Sequence, residues 1–509
     1  TNGGLVTENW FDLNASRYTA SSTLQRMELL KTGYMGTLSL GWDNYLFLEL
    51  TGRQERSSTL KDQSFFYPSA NLSFLFSNAF RMPAWWNHGK LRLSYGIVGN
   101  APETYAANII YEQGSDNGFT WNYVPSSWGN ANIRPEKKYE YEIGLESKFF
   151  NNRLGFDVSY YNNRVKDQIL STPQPSSSGV KYVLMNVGEV ANEGWDISVS
   201  ATPIQTKDFR WDLTANYGIY RNKVVKLAEG VPYLEISNIG GGGAKIQAVE
   251  GRPMGDIYVQ VPQVNENGDY LVSDKGLYLN QTDLQRVGNI NPDGVGGLFS
   301  SFSYKNIFLD FSIDFRIGGD VINEMYQYST ASGLTPESLQ YRDTEHGGLS
   351  YYYPGNNNAS GVPVQVDPSL GAGPNGEVIY HDGVILPGVV ASTGEKNTRI
   401  IPAGYYYNQT YNWGTQPEQY TYRHSVFDNT YVKLRELTIG YQFPEKLISK
   451  LGMTRLSVSV FGRNLFYFYK ALKNYDAESS VGTSWASQAV VGGSTTATRN
   501  FGISLRASF

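Results

Sequence analysis

The chain has 509 residues, a formal net charge of −5 and no cysteine. The charge excludes a strongly basic nucleic-acid-binding surface, and the lack of cysteine excludes disulfide scaffolds, cysteine nucleophiles and thiolate metal sites. Aromatic residues make up 14%, with 38 Tyr, but no stretch approaches the ~18 consecutive apolar residues of a membrane-spanning helix.

Strands are predicted along most of the chain, because apolar and polar residues alternate with period two. Between 307 and 316, for example, Ile307, Leu309 and Phe311 alternate with Phe308 and Asp310. The predicted strands are 21–31, 33–42, 45–56, 64–78, 88–99, 137–150, 153–166, 186–202, 207–222, 295–306, 307–318, 430–443, 454–466 and 498–509. Charged residues at alternate positions of several strands suit a water-filled lumen better than the interior of a sandwich.

The connections between these strands alternate between short and long. Short turns are predicted at 43–44, 151–152, 203–206, 305–306 and 444–452, and long loops at 100–136, 167–185, 223–294, 319–429 and 467–497. Short turns on one side and long loops on the other are typical of an outer-membrane barrel. The pattern predicts an all-β, transmembrane, antiparallel up-and-down β-barrel with extracellular long loops and a periplasmic C-terminus. A soluble β protein is the alternative.

The last predicted strand has one apolar and one polar face. Phe501, Ile503, Leu505 and Phe509 share the apolar face. We interpret it as the C-terminal strand used in barrel assembly.

Several segments resemble the SusC-like (SusC/RagA) family of TonB-dependent outer-membrane transporters of Bacteroidetes. These are Phe66-Tyr67-Pro68-Ser69, residues 91–100, Pro135-Glu136-Lys137 with residues 142–145, Asn186 to Val190 with Asn192-Glu193-Gly194, residues 431–441 with Pro444, residues 462–466, and Asp476-Ala477-Glu478. The last departs from the family's Asp-Pro-Glu at Ala477. The segments occur in the family's order, which makes the resemblance specific.

The resemblance implies active import of oligosaccharides or oligopeptides across the outer membrane. It also implies a SusD-like surface lipoprotein as lid, TonB acting through an N-terminal plug, and a dimer of SusC–SusD pairs. Barrels of this class have about 22 strands. Residues 1–509 are therefore expected to be the C-terminal part of the barrel, an internal piece of a longer precursor without the plug. Outer-membrane lipid is a further expected partner, and nucleic acid is not.

Aromatic clusters in the largest loop are candidate substrate- or lid-binding residues, because aromatic faces beside polar groups suit sugar rings and peptide side chains. They are Tyr351, Tyr352, Tyr353, Tyr405, Tyr406, Tyr407, Tyr411 and Trp413. Packing of the loop on itself is at least as good an explanation. Trp85 and Trp86, at a short turn, are interpreted as part of an interfacial aromatic belt.

No catalytic residue, cofactor or metal site is predicted. The four His residues are scattered, and His381-Asp382 is interpreted as a surface polar pair. Residues 263–274 faintly resemble a calcium loop but lack its bidentate Glu, so a plain turn is favoured. The chain is therefore expected not to be an enzyme. A passive porin, a barrel enzyme and a secreted sugar-binding β protein are the alternative functions.

Overall fold

The computed structural model describes residues 4–10, 12, 15, 17, 26–61, 64–116, 119–411, 422–472, 474–493 and 495–509. Thirteen long strands form one antiparallel sheet in which each strand pairs with the next in the chain. They are β1 Lys31–Trp42, β2 Leu46–Ser57, β3 Ser64–Phe74, β4 Trp86–Asn100, β5 Glu136–Phe149, β6 Leu154–Pro173, β7 Tyr182–Gln205, β8 Phe209–Lys226, β9 Gly294–Tyr304, β10 Ile307–Ile317, β11 Tyr431–Gln442, β12 Arg455–Lys470 and β13 Asn500–Ser508. The predicted up-and-down order is confirmed.

The predicted strand 21–31 is wrong in its described part. Residues 26–30 are not in a strand, and residues 21–25 lie outside the described part of the chain. The pairing explains the difference, because Lys31 is opposite Ser57, where β2 ends. Residues before Lys31 have no β2 partner, whatever their alternation. The predicted strand 64–78 also ends early, at Phe74, because a short helix, α1 (Phe76–Ala79), follows it.

Short turns join the strands at one end of the sheet, which we call the turn end. Asp43 and Asn44 have positive φ values of 46° and 56°, as the two central residues of a type I′ hairpin turn require. Phe150, Asn151 and Asn152 also have positive φ between β5 and β6. At the opposite end, the loop end, the connections are long, with the exception of residues 58–63 and 174–181. The predicted long loop 167–185 is wrong, because β6 and β7 continue as paired strands to Pro173 and from Tyr182.

One face of the sheet is apolar and the other polar. Pairing places Leu213 beside Ser300, Ser300 beside Phe311, and Phe311 beside Leu437 on the apolar face. In β13, Phe501, Ile503 and Leu505 belong to this face and are 68–76% exposed, and Phe509 beyond the strand is also exposed. The polar face carries Asp, Glu, Ser and Arg. The apolar face is not covered by a second sheet, so the described chain is not a β-sandwich.

The long loops contain secondary structure of their own. Small sheets are formed by Tyr233–Ile239, Ala244–Val249, Asp256–Val259 and Gln285–Asn289; by Leu349–Tyr352, Val364–Gln365, Ile379–Val384 and Ile401–Pro402; by Asp320–Asn323, Val426–Asp428 and Val490–Val491; by Leu271–Val272 and Val389–Val390; and by Glu112–Asp116 and Phe119–Tyr123. Ser127–Trp128 pairs with the start of β7. Two helices, α2 (Glu324–Ala331) and α3 (Ala403–Tyr411), lie in the largest loop, and α4 (Glu445–Ile448) precedes β12. No described helix is long and apolar enough to cross a membrane.

Three loops share one hydrophobic core. Ile246 and Ile257 come from the loop after β8, Ile322 and Val426 from the loop after β10, and Val490 from the loop after β12. Inter-loop strand pairs join the same segments, Ile322 with Val490 and Leu271 with Val389. We call these three loops, residues 227–293, 318–430 and 471–499, the loop cap.

Candidate functional site: the loop cap and the polar face of the sheet

Ion pairs lie across the polar face in the middle of the sheet. The Arg92 guanidinium on β4 donates to both carboxylate oxygens of Asp157 on β6, at 3.1 and 2.6 Å, and to the Ser159 hydroxyl at 3.1 Å. A carboxylate oxygen of Glu146 on β5 lies 3.7 Å from the same guanidinium. Bidentate pairs of this kind fix the orientation of both side chains. The face is therefore a hydrophilic wall with an ordered charge pattern.

A second charged cluster ties the loop cap to the polar face. Arg435 donates to Asp314 at 2.6 Å, to Asn464 at 2.9 Å and to both carboxylate oxygens of Glu478. Lys433, two residues earlier on β11, donates to Glu478 at 2.5 Å, and its side chain is only 3% exposed. Glu478 lies in the loop 471–499, so it joins the wall to the cap.

The Glu478 carboxylate is ionised in this setting. Burial on its own raises its pKa, but the hydrogen bonds from Arg435 and Lys433 outweigh burial and hold the pKa below its usual value. Nearby, the Asp476 carboxylate accepts hydrogen bonds from the Tyr467 hydroxyl at 2.5 Å and from the Ala497 amide at 2.9 Å. Both acids of the Asp476-Ala477-Glu478 segment therefore bind the loop to β11 and β12, and Ala477 packs between them as a buried residue.

Asn186 holds another loop in the same way. Its side chain accepts from the Arg134 amide at 2.8 Å and donates to the carbonyls of Arg134 and Asp167 at 2.7 and 2.9 Å. Glu136 on β5 accepts a hydrogen bond from the Ile169 amide at 2.8 Å. The loop between β4 and β5 is thus fixed to the extended ends of β6 and β7.

Inside the cap, Asp256 organises the loop after β8. It is fully buried and accepts hydrogen bonds from the Arg252 Nε at 2.6 Å, the Arg286 Nε at 2.8 Å and the Asn289 side chain at 2.9 Å. Burial raises the pKa of this carboxyl, but the three donors outweigh burial and lower the pKa below its usual value. The satisfied charge makes this loop a fixed part of the cap.

A cavity of about 1390 Å³ opens at the loop end, between the extended ends of β6, β7 and β8 and residues 227–235. Its lining includes apolar Met185, Leu227 and Leu234, and the charged residues Lys226 and Glu229. It is larger than the 300–1,000 Å³ typical of small-molecule pockets, so its size suits a segment of an oligomer.

The tyrosines predicted to bind substrate or lid separate into two groups. Tyr351 is 1% exposed and donates to Asp382 at 3.0 Å, while Tyr407 is buried and donates to the Glu337 carbonyl at 2.8 Å. Tyr353 and Tyr411 are also buried. For these four residues the burial favours the packing explanation. Trp413 lies outside the described residues.

Tyr352, Tyr405 and Tyr406 are half-buried, so part of each side chain is accessible. Tyr406 packs against Tyr407, with ring centroids 4.9 Å apart, and burial raises the pKa of the Tyr407 hydroxyl to about 12. The Tyr407 hydroxyl is therefore a neutral hydrogen-bonding group at physiological pH. For Tyr352 and Tyr405, binding of substrate or lid remains our proposal.

Residues 263–274 form a turn in which the Asn265 side chain accepts from the amides of Asn267 and Asp269, both at 2.9 Å. This one side-chain oxygen is thereby committed to the backbone. Within the described ranges there is no group of three or more His, Cys, Asp or Glu close enough to hold a metal ion. His381 and Asp382 point to different partners, Ser350 at 2.8 Å and Tyr351 at 3.0 Å.

Residues 7–257 match the family model described as TonB dependent receptor-like, beta-barrel. Over these residues, which are just under half of its length, the chain is similar to TonB-dependent receptors. It is 24% identical over 483 residues to TonB-dependent receptor P3 of Formosa agariphila, covering 88% of this chain and 42% of that receptor. It is 27% identical over 247 residues to TonB-dependent receptor SusC of Bacteroides thetaiotaomicron, covering 44% of this chain and 24% of SusC.

The fold of this receptor also matches a chain in the structure of the RagAB peptide transporter, with a TM-score of 0.69 at 19% identity. That match covers 98% of this chain and 50% of the other. The chain spans less than half the length of the curated relatives it matches. The predicted all-β barrel and the SusC/RagA resemblance are confirmed, and the family places the receptor in the outer membrane. The family also supports the prediction that the chain is not an enzyme.

The cluster of Lys433, Arg435 and Glu478 was not predicted as a site, although all three residues lie in segments that resemble the family. The available signal was the pair of basic residues two apart on a predicted polar face, together with an acidic residue in the following loop. The cavity could not be found in this way, because its lining residues come from two loops and three strands that are brought together only in the fold.

Proposed function

We propose that this chain forms the wall and extracellular cap of a transporter that imports oligosaccharides or oligopeptides across the outer membrane. The observation that carries the proposal is the fixed loop cap above a hydrophilic wall, with a cavity of oligomer size at the rim. A sheet with an exposed apolar face suits lipid on one side and a water-filled lumen on the other.

A SusD-like lipoprotein is the proposed lid, and TonB is proposed to supply force through a plug in the complete protein. The similarity to SusC and to the RagAB peptide transporter supports a partner lipoprotein and TonB. A dimer of transporter–lipoprotein pairs is proposed with them. The loop end would then face the outside and the C-terminus the periplasm. The half-buried Tyr352 and Tyr405 are proposed lid or substrate contacts.

The proposal is tested by growth and uptake of labelled oligomers in cells that carry the full-length receptor. A receptor in which residues 229–234 of the cavity rim are replaced by a Gly-Ser linker of equal length should reach the surface normally and lose most uptake. An equal replacement of residues 367–372, in an exposed part of the cap, is the matched control. Equal uptake in both variants would contradict the assignment of the cavity to transport.

A passive porin is the second candidate, because the polar face alone would also suit a pore. Loss of the proton motive force distinguishes the two functions, since an energised importer stops and a pore continues to conduct. A secreted sugar-binding protein is disfavoured by the exposed apolar face of β13 and its neighbours.

A further inference from the structure

Basic residues collect on the apolar face of the sheet, just beyond its apolar band toward the loop end. Pairing places Ile143, Tyr160, Trp195 and Ile219 side by side across β5 to β8. Tyr160 and Trp195 pack together with ring centroids 4.9 Å apart. This row marks the aromatic rim at which the lipid-facing band gives way to the polar interface.

The same register places charged residues in the next rows of this face toward the loop end. Two residues beyond Ile219 is Arg221, and Lys223 follows on the same face of β8. On β6, Arg164 lies opposite Ala191, which in turn lies opposite Lys223, and Lys166 lies opposite Lys137 of β5. We call Lys137, Arg164, Lys166, Arg221 and Lys223 the basic row.

The acidic residues near the basic row do not neutralise it. Glu189 pairs with Arg164 at 3.2 Å, Asp293 lies 4.0 Å from Arg221, and Glu193 accepts from the Tyr160 hydroxyl at 3.3 Å. Lys137, Lys166 and Lys223 have no carboxylate partner in the part of the chain that the structure describes.

Lys137 and Lys166 are directly opposite each other on neighbouring strands, where like charges repel. The Lys166 Nζ lies 5.8 Å from the centre of the Tyr139 ring, which holds it on this face. An anion between the two ammonium groups would remove the repulsion. The row therefore has both the charge and the spacing of an anion-binding surface.

We infer that the basic row binds the phosphate groups of lipid headgroups in the leaflet next to the loop end. The row is continuous with the lipid-facing band, so a molecule seated on it has its apolar part against that band. Juxtamembrane basic clusters attract anionic lipid in this way. The choice of leaflet, the outer one, rests on the proposed orientation of the receptor.

The test uses the full-length receptor purified in a zwitterionic detergent and titrated with diphosphorylated lipid A, with bound lipid measured by native mass spectrometry. The variant K137Q/K166Q/K223Q should bind the lipid at least tenfold more weakly than the unmodified receptor. The matched control, K138Q/K148Q/K305Q, removes three lysines outside the row and should bind normally. Dephosphorylated lipid A should bind the unmodified receptor and the row variant equally.

Inorganic phosphate at the same concentration should not displace the lipid, because it lacks the apolar part. Equal lipid binding by the row variant and its control, or no effect of removing the phosphates, would overturn the inference. If the triple variant fails to fold, the exposed single change Lys166→Gln gives the same comparison, with a smaller expected loss. This experiment measures lipid binding and not uptake, so its result holds even if the receptor proves not to import oligomers. If the receptor imports oligomers but the row variant binds lipid normally, only the lipid-binding inference is refuted.

Discussion

The most quantitative prediction concerns the ion pairs between Glu478 and the polar face of the sheet. Glu478→Gln removes the negative charge that compensates Lys433, whose side chain is 3% exposed, while Arg435 keeps Asp314 at 2.6 Å. Removing one partner of a buried ion pair costs about 3–5 kcal/mol. Because the Glu478 side chain is itself 27% exposed, we expect the lower end, about 3 kcal/mol.

The assay is hydrogen exchange in the loop 471–499, followed at the Ala497 amide, which donates to Asp476. If the loop opens locally, a loss of about 3 kcal/mol corresponds to roughly 100-fold faster exchange. The same loss should follow acidification of the unmodified receptor. The pKa of Glu478 is lowered in the folded state, so its stabilising contribution is present above the usual value near 4.5 and disappears as the pH falls through the folded value.

Glu436→Gln is the matched control. It breaks the pair between Arg463 and Glu436 at 2.9 Å, which is exposed on both sides, and should cost less than about 1 kcal/mol. The double change Lys433→Met with Glu478→Gln removes the stranded charge and should restore part of the protection. If Glu478→Gln exchanges no faster than Glu436→Gln, or the double variant is no better than Glu478→Gln, the reasoning is refuted.

Three further changes test the lipid face, the cap core and the acid sensitivity of the cap. Val460→Arg places a charge on the apolar face beside Ile439 and Ile503 and should destabilise the membrane-inserted barrel by about 2–4 kcal/mol in a denaturant titration, whereas Ser504→Arg on the polar face should have little effect. Tyr407→Phe should cost about 1 kcal/mol of cap stability, measured by limited proteolysis, and leave binding of the lid protein unchanged; weaker lid binding at normal cap stability would contradict packing as the role of Tyr407. The pKa of Glu377 is held at about 2 by hydrogen bonds from the Asn375 amide, the Asn375 side chain and the Gly355 amide. Amide protection at Asn375 should therefore fall between pH 4.5 and 2, and Glu377→Gln should abolish this pH dependence.

The sheet could be predicted from the sequence because every barrel strand meets both lipid and water. The alternation in β10 and β13 follows from that condition and needs no knowledge of the partner strand. The failed strand 21–31 shows the limit of this reasoning. Alternation reports which residues could line a sheet, but a strand also needs a partner of matching length, and β2 ends at Ser57.

The loop cap could not be predicted in the same way. Its core joins Ile246, Ile322 and Val490, which are far apart in the chain, and none of their loops has enough apolar residues to indicate a fold alone. The tyrosine clusters were visible in the sequence, but exposure decides whether a tyrosine binds or packs. Tyr351 and Tyr405 look alike in the sequence and differ in burial because Tyr351 lies in the middle of a small sheet.

The residues that make this chain recognisable and the residues that would select its cargo overlap at residues 186–189 and are otherwise different sets. Asn186, Glu136, Lys433, Arg435 and Glu478 carry the family resemblance, and each one fixes a loop to the wall through a hydrogen bond or ion pair. The rim cavity is lined by residues 186–189 of one recognised segment, but also by residues such as Met185, Leu227 and Glu229, which belong to no recognised segment. A receptor can therefore keep its anchoring network while residues 227–235 of the rim change, since none of these anchoring residues lies in that segment. Exchange of residues 227–235 between two such receptors should transfer substrate preference without loss of folding, and an unfolded cap in the chimaera would show that rim and anchors are coupled.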